Sequence, residues 1–431
     1  MKVTEKKLDD GRILLEAVVS TAEVGHALAV AHNGFAQQMG VRVQPGVPVA
    51  QAVEQQLGVK DLDSLVAQQA VEYLVPFAID KSNIAPAFIP QPKTSAPLKR
   101  GQTFSFELRV TPKPAYELKS YDPVTITVPP FQIPEGEVDA QLAQMAESYA
   151  QYVADEPHPV GPSDGVLISL EAFQGGKRLD NLSTDARTYV MGMNLMPEGF
   201  EKNLLGMEVG QTKSFSFEMP GAPEGQDPDV FDCTVTVKEL QKKVVPQIDD
   251  EWVAKFMPLY RDAAALRGAL TEAVQSQHRA QHHEMLLQAA AAELSKRFQG
   301  SIADEVYEFT RDTMLANLRG SLQQQGIPFE QYIQNYGGEQ QFGMIMMMQT
   351  RELLVQGYSL DALFRHEKMS LEDKDIERAC RQMNPMDPKA ARREMEENGR
   401  GFALREAAER MKANEWLLEH AVVNEEGTKS A

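Results

Sequence analysis

The spacing of apolar residues changes along this chain, and that change constrains the fold more than any other feature. In residues 160–243, apolar and polar residues alternate, most clearly at 211–218 and 231–237. Alternation places every second side chain on one face of a strand. From Pro246 onward, apolar residues recur every three or four positions, which is the spacing of one helix face. No single sheet or bundle accommodates both patterns, so the sequence predicts a multidomain α+β chain.

The first 112 residues carry both patterns and predict a small α+β domain. We expect strands at 12–19 and 103–110, a helix from Thr21 to about Met39, and a second helix at 49–57. The intervening loop, residues 40–48, holds two glycines and two prolines, a composition typical of turns. This loop should project from between the two helices.

Three further parts follow the first domain. A proline-rich connector with one helix occupies residues 113–158, a β-rich domain 159–243, and an all-helical domain 244–431. Within the last part, the sequence predicts helical runs over 252–298 and 329–358, a capping box at Ser301–Asp304, and a final helix over 399–423.

Composition narrows the classes of function. The 431 residues suffice for roughly three domains. With 43 Lys and Arg against 62 Asp and Glu, the net charge is −19, which disfavours a broad grip on DNA. The amino terminus is charged and no apolar run is long enough to span a bilayer, so we expect no membrane association. The two cysteines fit a reducing compartment, and we expect a cytoplasmic protein.

Several catalytic and cofactor signatures are missing from the sequence. It contains no phosphate-binding G-x-x-x-x-G-K-[ST] motif and no G-x-S-x-G motif. His278 and His282 have helical i, i+4 spacing, with His283 beside them, but no third metal ligand is evident and a solvated helix face is the simpler interpretation. We therefore expect no metal and no cofactor.

The run Met344-Ile-Met-Met-Met348 leaves two interpretations open. Methionines at this spacing are most often part of a helix core. They also suit an apolar surface that adapts to varied partners, because the thioether side chain is flexible and polarisable.

The order of these segments resembles the trigger factor family of ribosome-associated chaperones. The likeness is strongest at residues 104–118, Phe-Ser-Phe-Glu-Leu-Arg-Val-Thr-Pro-Lys-Pro-Ala-Tyr-Glu-Leu, and at 245–256, Val-Pro-Gln-Ile-Asp-Asp-Glu-Trp-Val-Ala-Lys-Phe. The resemblance implies binding of nascent and unfolded polypeptides without ATP, and assistance in folding and export.

In the family, the loop between the first helices docks on the ribosome near the exit tunnel. The matching positions here are Gly40, Val41, Arg42, Gln44 and Pro48. Valine replaces the family's aromatic residue and Arg42 is the only cation of the loop. The resemblance therefore implies weak, salt-sensitive docking.

The β-rich part resembles an FKBP-type prolyl isomerase domain. The implied pocket residues are Leu170, Leu179, Asp180, Leu195, Met196, Phe200 and Phe231. Such a pocket favours the twisted amide by desolvation and needs no nucleophile. Leucines stand at two aromatic positions, so isomerase activity is an open question. The alternatives to a ribosome-bound chaperone are a prolyl isomerase and an assembly factor that acts free of the ribosome.

Overall fold

The structure is a computed structural model that describes residues 1–193, 196, 198–219 and 229–426. About half of these residues are helical, with a β-rich region in the middle and helices toward the carboxyl end. The predicted class, an α+β multidomain protein, is confirmed. The chain divides into two compact units, one of residues 1–130 and 282 onward, the other of residues 131–281. The four-part division drawn from the sequence stays a prediction.

The described residues form fourteen strands and fourteen helices. The strands are β1 (Lys2–Lys7), β2 (Ile13–Val19), β3 (Pro92–Thr94), β4 (Phe104–Val110), β5 (Glu117–Leu118), β6 (Thr125–Val128), β7 (Gln151–Ala154), β8 (Gly165–Gln174), β9 (Lys177–Arg178), β10 (Thr184–Val190), β11 (Thr212–Met219), β12 (Asp229–Val244), β13 (Phe298–Gln299) and β14 (Val422–Glu425). The helices are α1 (Thr21–Gln38), α2 (Val49–Leu57), α3 (Leu62–Leu65), α4 (Ala67–Lys81), α5 (Glu137–Ser148), α6 (Glu198–Leu204), α7 (Asp250–Phe256), α8 (Ala263–Ser295), α9 (Asp304–Gln324), α10 (Phe329–Asn335), α11 (Glu339–His366), α12 (Asp373–Met383), α13 (Pro388–Glu397) and α14 (Gly401–Glu419).

The first unit begins with an antiparallel sheet in the order β1-β2-β4-β3. Every second residue of β4 is buried, as its alternation predicted. Leu15 and Leu108 from the sheet pack with Leu28 of α1 and Ile79 of α4 in one core. Helix α1 begins at Thr21, and the residue before it, Ser20, is its N-cap and forms a capping box with Glu23.

The connector is held to the helical part of the same unit by two short strand pairs. Strand β5 pairs with β13, and β6 runs parallel to β14. Ile126 of β6 is buried with Leu363 of α11 and Leu417 of α14. The final helix ends at Glu419, and the prediction that it continues to Val423 was wrong. Residues 422–425 form β14 instead, because they pair with β6 of the connector.

Two other helix predictions also need correction. The helix expected over 329–358 is divided into α10 and α11 by Gly337 and Gly338, whose positive φ angles of 85° and 89° suit glycine. The expected capping box at Ser301 is absent. Ala303 is the N-cap of α9 and makes no side-chain cap.

The second unit contains a six-stranded sheet in the order β10-β8-β12-β11, with β7 on β12 and β9 on β8. Gly165 permits a close approach of two strands here, since a Cβ atom would lie 2.6 Å from the Tyr152 ring.

The same unit holds α5, α7 and the start of α8. The run expected over 252–298 is broken after α7 by Pro258, and Asp262 then accepts the Ala265 N–H at 2.7 Å.

Candidate functional site

Helix α11 has one apolar face that is open to solvent. Met344, Met347 and Met348 share this face, because residues three and four apart are neighbours on a helix. Their exposed fractions are 55%, 60% and 73%. We call these three residues the methionine face. Met346 points the other way and is only 6% exposed. The core interpretation of the methionine run thus holds for Met346, and the surface interpretation holds for the other three.

The inner side of α11 is closed by α9 and α10. The Thr350 hydroxyl donates a hydrogen bond to the Met346 carbonyl at 2.7 Å, and its oxygen also lies 3.6 Å from the Met314 sulfur of α9. Phe342 lies against the rings of Phe329 and Tyr332, with centroids 6.0 and 6.3 Å away. These contacts fix one side of the helix while the methionine face remains free to contact other molecules.

A small apolar groove lies further along the same helix. Its apolar side is lined by Phe88, Phe309 and Leu353, the charged residues Lys113, Glu406 and Arg410 also line it, and its volume is about 260 Å³. The rings of Phe88 and Phe309 are 6.2 Å apart. Phe309 and Leu353 are 38% and 52% exposed. The groove and the methionine face together give α9 and α11 a partly open apolar surface.

Buried charges anchor the far half of α11. Asp361 is 7% exposed, receives two 3.0 Å hydrogen bonds from Arg410 of α14, and forms an ion pair with Lys113 of the connector. Burial acts to raise the pKa of Asp361, but the hydrogen bonds and charges of Arg410 and Lys113 outweigh it, so the pKa lies below its usual value. Gly357 lets Arg410 approach, since a Cβ there would lie 2.9 Å from the guanidinium carbon.

The loop of residues 40–48 projects between α1 and α2, as predicted. Arg42, Gln44 and Pro48 are exposed, whereas Val41 packs partly against the N-terminal core. Gln56 of α2 joins both backbone groups of Arg42, accepting its N–H at 3.1 Å and donating to its carbonyl at 2.8 Å. The sequence analysis missed Gln56, because an exposed helical glutamine gives no sequence signal.

The two glycines of this loop shape its backbone. Gly40 and Gly46 adopt positive φ angles of 66° and 84°, which other residues rarely adopt. The two Gln56 hydrogen bonds and these turns hold Arg42 outward on a defined backbone.

The predicted pocket residues of the β-rich part fall into two groups. Leu170, Phe200 and Phe231 are buried in one core, against which Leu179 and Met196 pack. Asp180 lies apart from them, 93% exposed and 3.8 Å from Arg178. Leu195 lies outside the described residues.

Two aromatic residues that the sequence analysis missed complete the cluster. The Phe200 ring lies 5.3 Å from that of Tyr189 and 5.6 Å from that of Phe215. Tyr189 donates a hydrogen bond to Glu201 at 2.7 Å. Burial and this carboxylate raise the pKa of Tyr189, so it remains a neutral donor at physiological pH. We call Tyr189, Phe200, Phe215 and Phe231 the aromatic cluster.

The histidines make separate contacts. His278 lies 2.7 Å from Glu137, His282 3.2 Å from the Pro129 carbonyl, and His283 3.3 Å from Glu415. Within the described ranges, no three His, Cys, Asp or Glu side chains are placed to hold a metal ion. In the same ranges, no helix combines the length and apolar composition that crossing a bilayer requires.

Comparisons with known proteins give consistent matches. Residues 1–145 match the family model of the bacterial trigger factor protein, and residues 262–419 match that of the bacterial trigger factor C-terminus. Trigger factor from Lysinibacillus sphaericus is 26% identical over 85% of this chain and 86% of its own. Trigger factor from Pelotomaculum thermopropionicum is 23% identical over 99% of this chain and 98% of its own.

A solved trigger factor chaperone covers 97% of this chain and 99% of its own at 18% identity, with a TM-score of 0.41. That score is too low to support a comparison of the two folds. The sequence matches need no such support, since the two family models lie on either side of the β-rich part and together cover more than two-thirds of the chain. The chain therefore belongs to the trigger factor family, and this membership supports a chaperone role.

Proposed function

We propose that the protein is a cytoplasmic, ATP-independent chaperone that binds nascent or unfolded polypeptides and assists their folding and export. The observation that carries this proposal is the open apolar surface of α9 and α11, above all the methionine face. Folded proteins bury most such residues, and a contiguous exposed group marks an interaction site. Unfolded chains expose the apolar segments that this surface would cover.

The chemistry of the surface suits many different clients. Methionine side chains have three rotatable bonds and repack against varied shapes. Each contact gains only part of the free energy of a fully buried side chain, so a client that folds and withdraws its apolar residues is released. No nucleotide is needed for that cycle.

The chaperone proposal is tested by aggregation of a chemically denatured enzyme. The triple change Met344→Gln, Met347→Gln and Met348→Gln should shorten the delay in aggregation that the parent protein produces. The matched control changes Met285, Met383 and Met386 to Gln, which are 40%, 46% and 94% exposed on other helices or loops. Equal loss of protection in both variants would contradict a role for this particular face.

We also propose that the loop of residues 40–48 docks on the ribosome near the exit tunnel. Its support is the outward position of Arg42 on a backbone held by Gln56, at the place where the family carries its docking loop. A single cation makes the contact weak and salt-sensitive. In co-sedimentation with ribosomes, Arg42→Ala should weaken binding most at low salt, while Arg311→Ala on α9 should not.

Two results of the sedimentation experiment would change this proposal. Binding that is unaffected by Arg42→Ala would remove the loop from the docking site. Absence of binding by the parent protein at low salt would favour the alternative, an assembly factor that acts free of the ribosome.

A second candidate function is prolyl isomerisation in the β-rich part. The observation that favours it is the partly buried edge of the aromatic cluster, where Phe215, Leu179 and Met196 would desolvate an X-Pro amide. The barrier to rotation, about 18–20 kcal/mol, falls when the polar planar amide is desolvated. Phe231→Leu should slow catalysed refolding of a proline-limited substrate without changing aggregation protection. If the parent protein gives no acceleration, this function is excluded.

A further inference from the structure

The sulfur atoms of this protein differ widely in their access to solvent. The chain has 20 methionines and two cysteines. Cys233 and Cys380 are 3% and 1% exposed. Burial raises the pKa of Cys380 and raises that of Cys233 to about 11. Oxidants attack the thiolate rather than the thiol, so neither cysteine is placed to react.

The methionine face presents the opposite situation. Three thioethers are more than half exposed within a turn and a half of one helix. A thioether needs no deprotonation to react, so its reactivity depends on access alone. Met346, one residue away from Met347, is buried, and on the neighbouring α9 the Met314 sulfur lies 3.6 Å from the Thr350 hydroxyl oxygen. The same helical segment thus contains accessible and protected methionines side by side.

We propose that Met344, Met347 and Met348 form an oxidation site, at which peroxides convert the thioethers to sulfoxides and make the methionine face polar. The site itself follows from exposure and spacing. Its consequence, loss of client binding under oxidative conditions, rests on the proposed chaperone function.

The reaction balances at each sulfur. The thioether attacks one peroxide oxygen with a lone pair, an S–O bond forms and the O–O bond breaks. Sulfur is oxidised by two electrons, hydrogen peroxide is reduced, and one water molecule leaves for each sulfoxide formed. Methionine sulfoxide is returned to methionine by sulfoxide reductases, so the change is reversible.

The fold should survive this change. The outer side chains are exposed, whereas the contacts that hold α11 in place come from Met346, Phe342 and Thr350 on its inner side. A polar, chiral sulfoxide would disrupt a core, but on this face it only removes apolar area from the surface. The expected result is a folded protein in which the methionine face is polar and no longer binds apolar segments.

The test uses the full chain treated with limiting hydrogen peroxide. Peptide mass spectrometry should find sulfoxide at residues 344, 347 and 348 before residues 346 and 314. Fluorescence of an apolar dye and protection of a denatured enzyme should both fall in the parent protein, because sulfoxides make the face polar. Treatment with a sulfoxide reductase and a thiol should restore both.

Variants locate the effect. In the triple variant Met344→Leu, Met347→Leu and Met348→Leu, dye fluorescence is measured before and after peroxide treatment. The two values should be nearly equal. The control triple, with Leu at positions 285, 383 and 386, should lose signal as the parent does.

The outcomes separate the two proposals. Oxidation of residue 346 as early as 344, or an unchanged dye signal in the fully oxidised parent, overturns the oxidation site. If the unoxidised parent does not protect the denatured enzyme from aggregation, the proposed chaperone function is overturned. Mass spectrometry and dye fluorescence still test the oxidation site independently.

Discussion

The aromatic cluster of the β-rich part and the methionine face of α11 are both apolar, yet one is closed and the other open. Phe200 is 0% exposed and Met348 is 73% exposed. The cluster lies between a sheet and α6, so apolar atoms surround Phe200. At residues 344–348, α11 packs through Met346, and Tyr307 of α9 donates a hydrogen bond to the Met347 carbonyl, but the three outer methionine side chains stay more than half exposed. The contrast indicates that the fully buried Phe200 stabilises the fold of the first region, whereas the methionine face is available for binding.

The largest effect should follow from opening the closed region. Phe200→Ala removes a fully buried ring and leaves a cavity, which should lower the free energy of unfolding of the β-rich part by about 4 kcal/mol. Chemical denaturation followed by circular dichroism measures this. The control Leu205→Ala removes a 45% exposed side chain from the turn that directly follows the same helix and should cost much less. Equal costs would mean that Phe200 is not sealed in solution.

The next effect concerns the charges that anchor the helix bearing the open face. Asp361→Asn removes a buried carboxylate and leaves Lys113 and Arg410 to share Glu406, with which both also form ion pairs. We expect a loss of about 3 kcal/mol, at the lower end for a buried pair because Arg410 is 31% exposed. Asp312→Asn, which breaks an exposed pair with Arg311, should produce no measurable change.

Asp361 also predicts a dependence on pH. Its pKa is lower in the folded state than in the unfolded state, so its contribution is present above about pH 3.9 and is lost as pH falls through the folded pKa. Acid unfolding of the parent should therefore be steeper below pH 4 than that of the Asp361→Asn protein. Parallel acid-unfolding curves would contradict the assigned direction.

A smaller effect should come from the polar edge of the closed cluster. Tyr189→Phe keeps the ring but removes the hydroxyl that donates to Glu201, and should cost about 1.5 kcal/mol. Thermal unfolding of the two proteins provides the measurement. No loss of stability would show that water replaces the hydroxyl, and hence that the cluster is open at this edge.

The smallest effect on stability should be found on the open face. Each of Met344→Gln, Met347→Gln and Met348→Gln should change the free energy of unfolding by no more than about 0.5 kcal/mol, because the side chains have little to lose. Met346→Gln, on the buried side of the same run, should cost several times more. Similar costs at positions 346 and 347 would mean that the two side chains are equally exposed in solution.

The sequence alone determined most of the elements and their order, because that information is local, but it missed β14 and the breaks after α7 and α10. The alternation of β4 and the glycines and prolines of the loop at 40–48 each led to the observed element. The matches at 104–118 and 245–256 pointed to the trigger factor family. The resemblance to the family identified Phe200 and Phe231 as pocket residues. It did not predict that both side chains are buried.

Only the tertiary structure decided which apolar faces are covered. Helical spacing shows that Met344 and Met347 share a face, but whether another helix packs on it depends on residues far away in sequence. The same holds for the pairing of Asp361 with Lys113 and for the strand β14, which forms because β6 of the connector lies beside it. Hydrophobic burial and ion pairing join residues that are far apart in sequence. The local pattern therefore predicts that a face is apolar, but tertiary packing determines whether that face is buried.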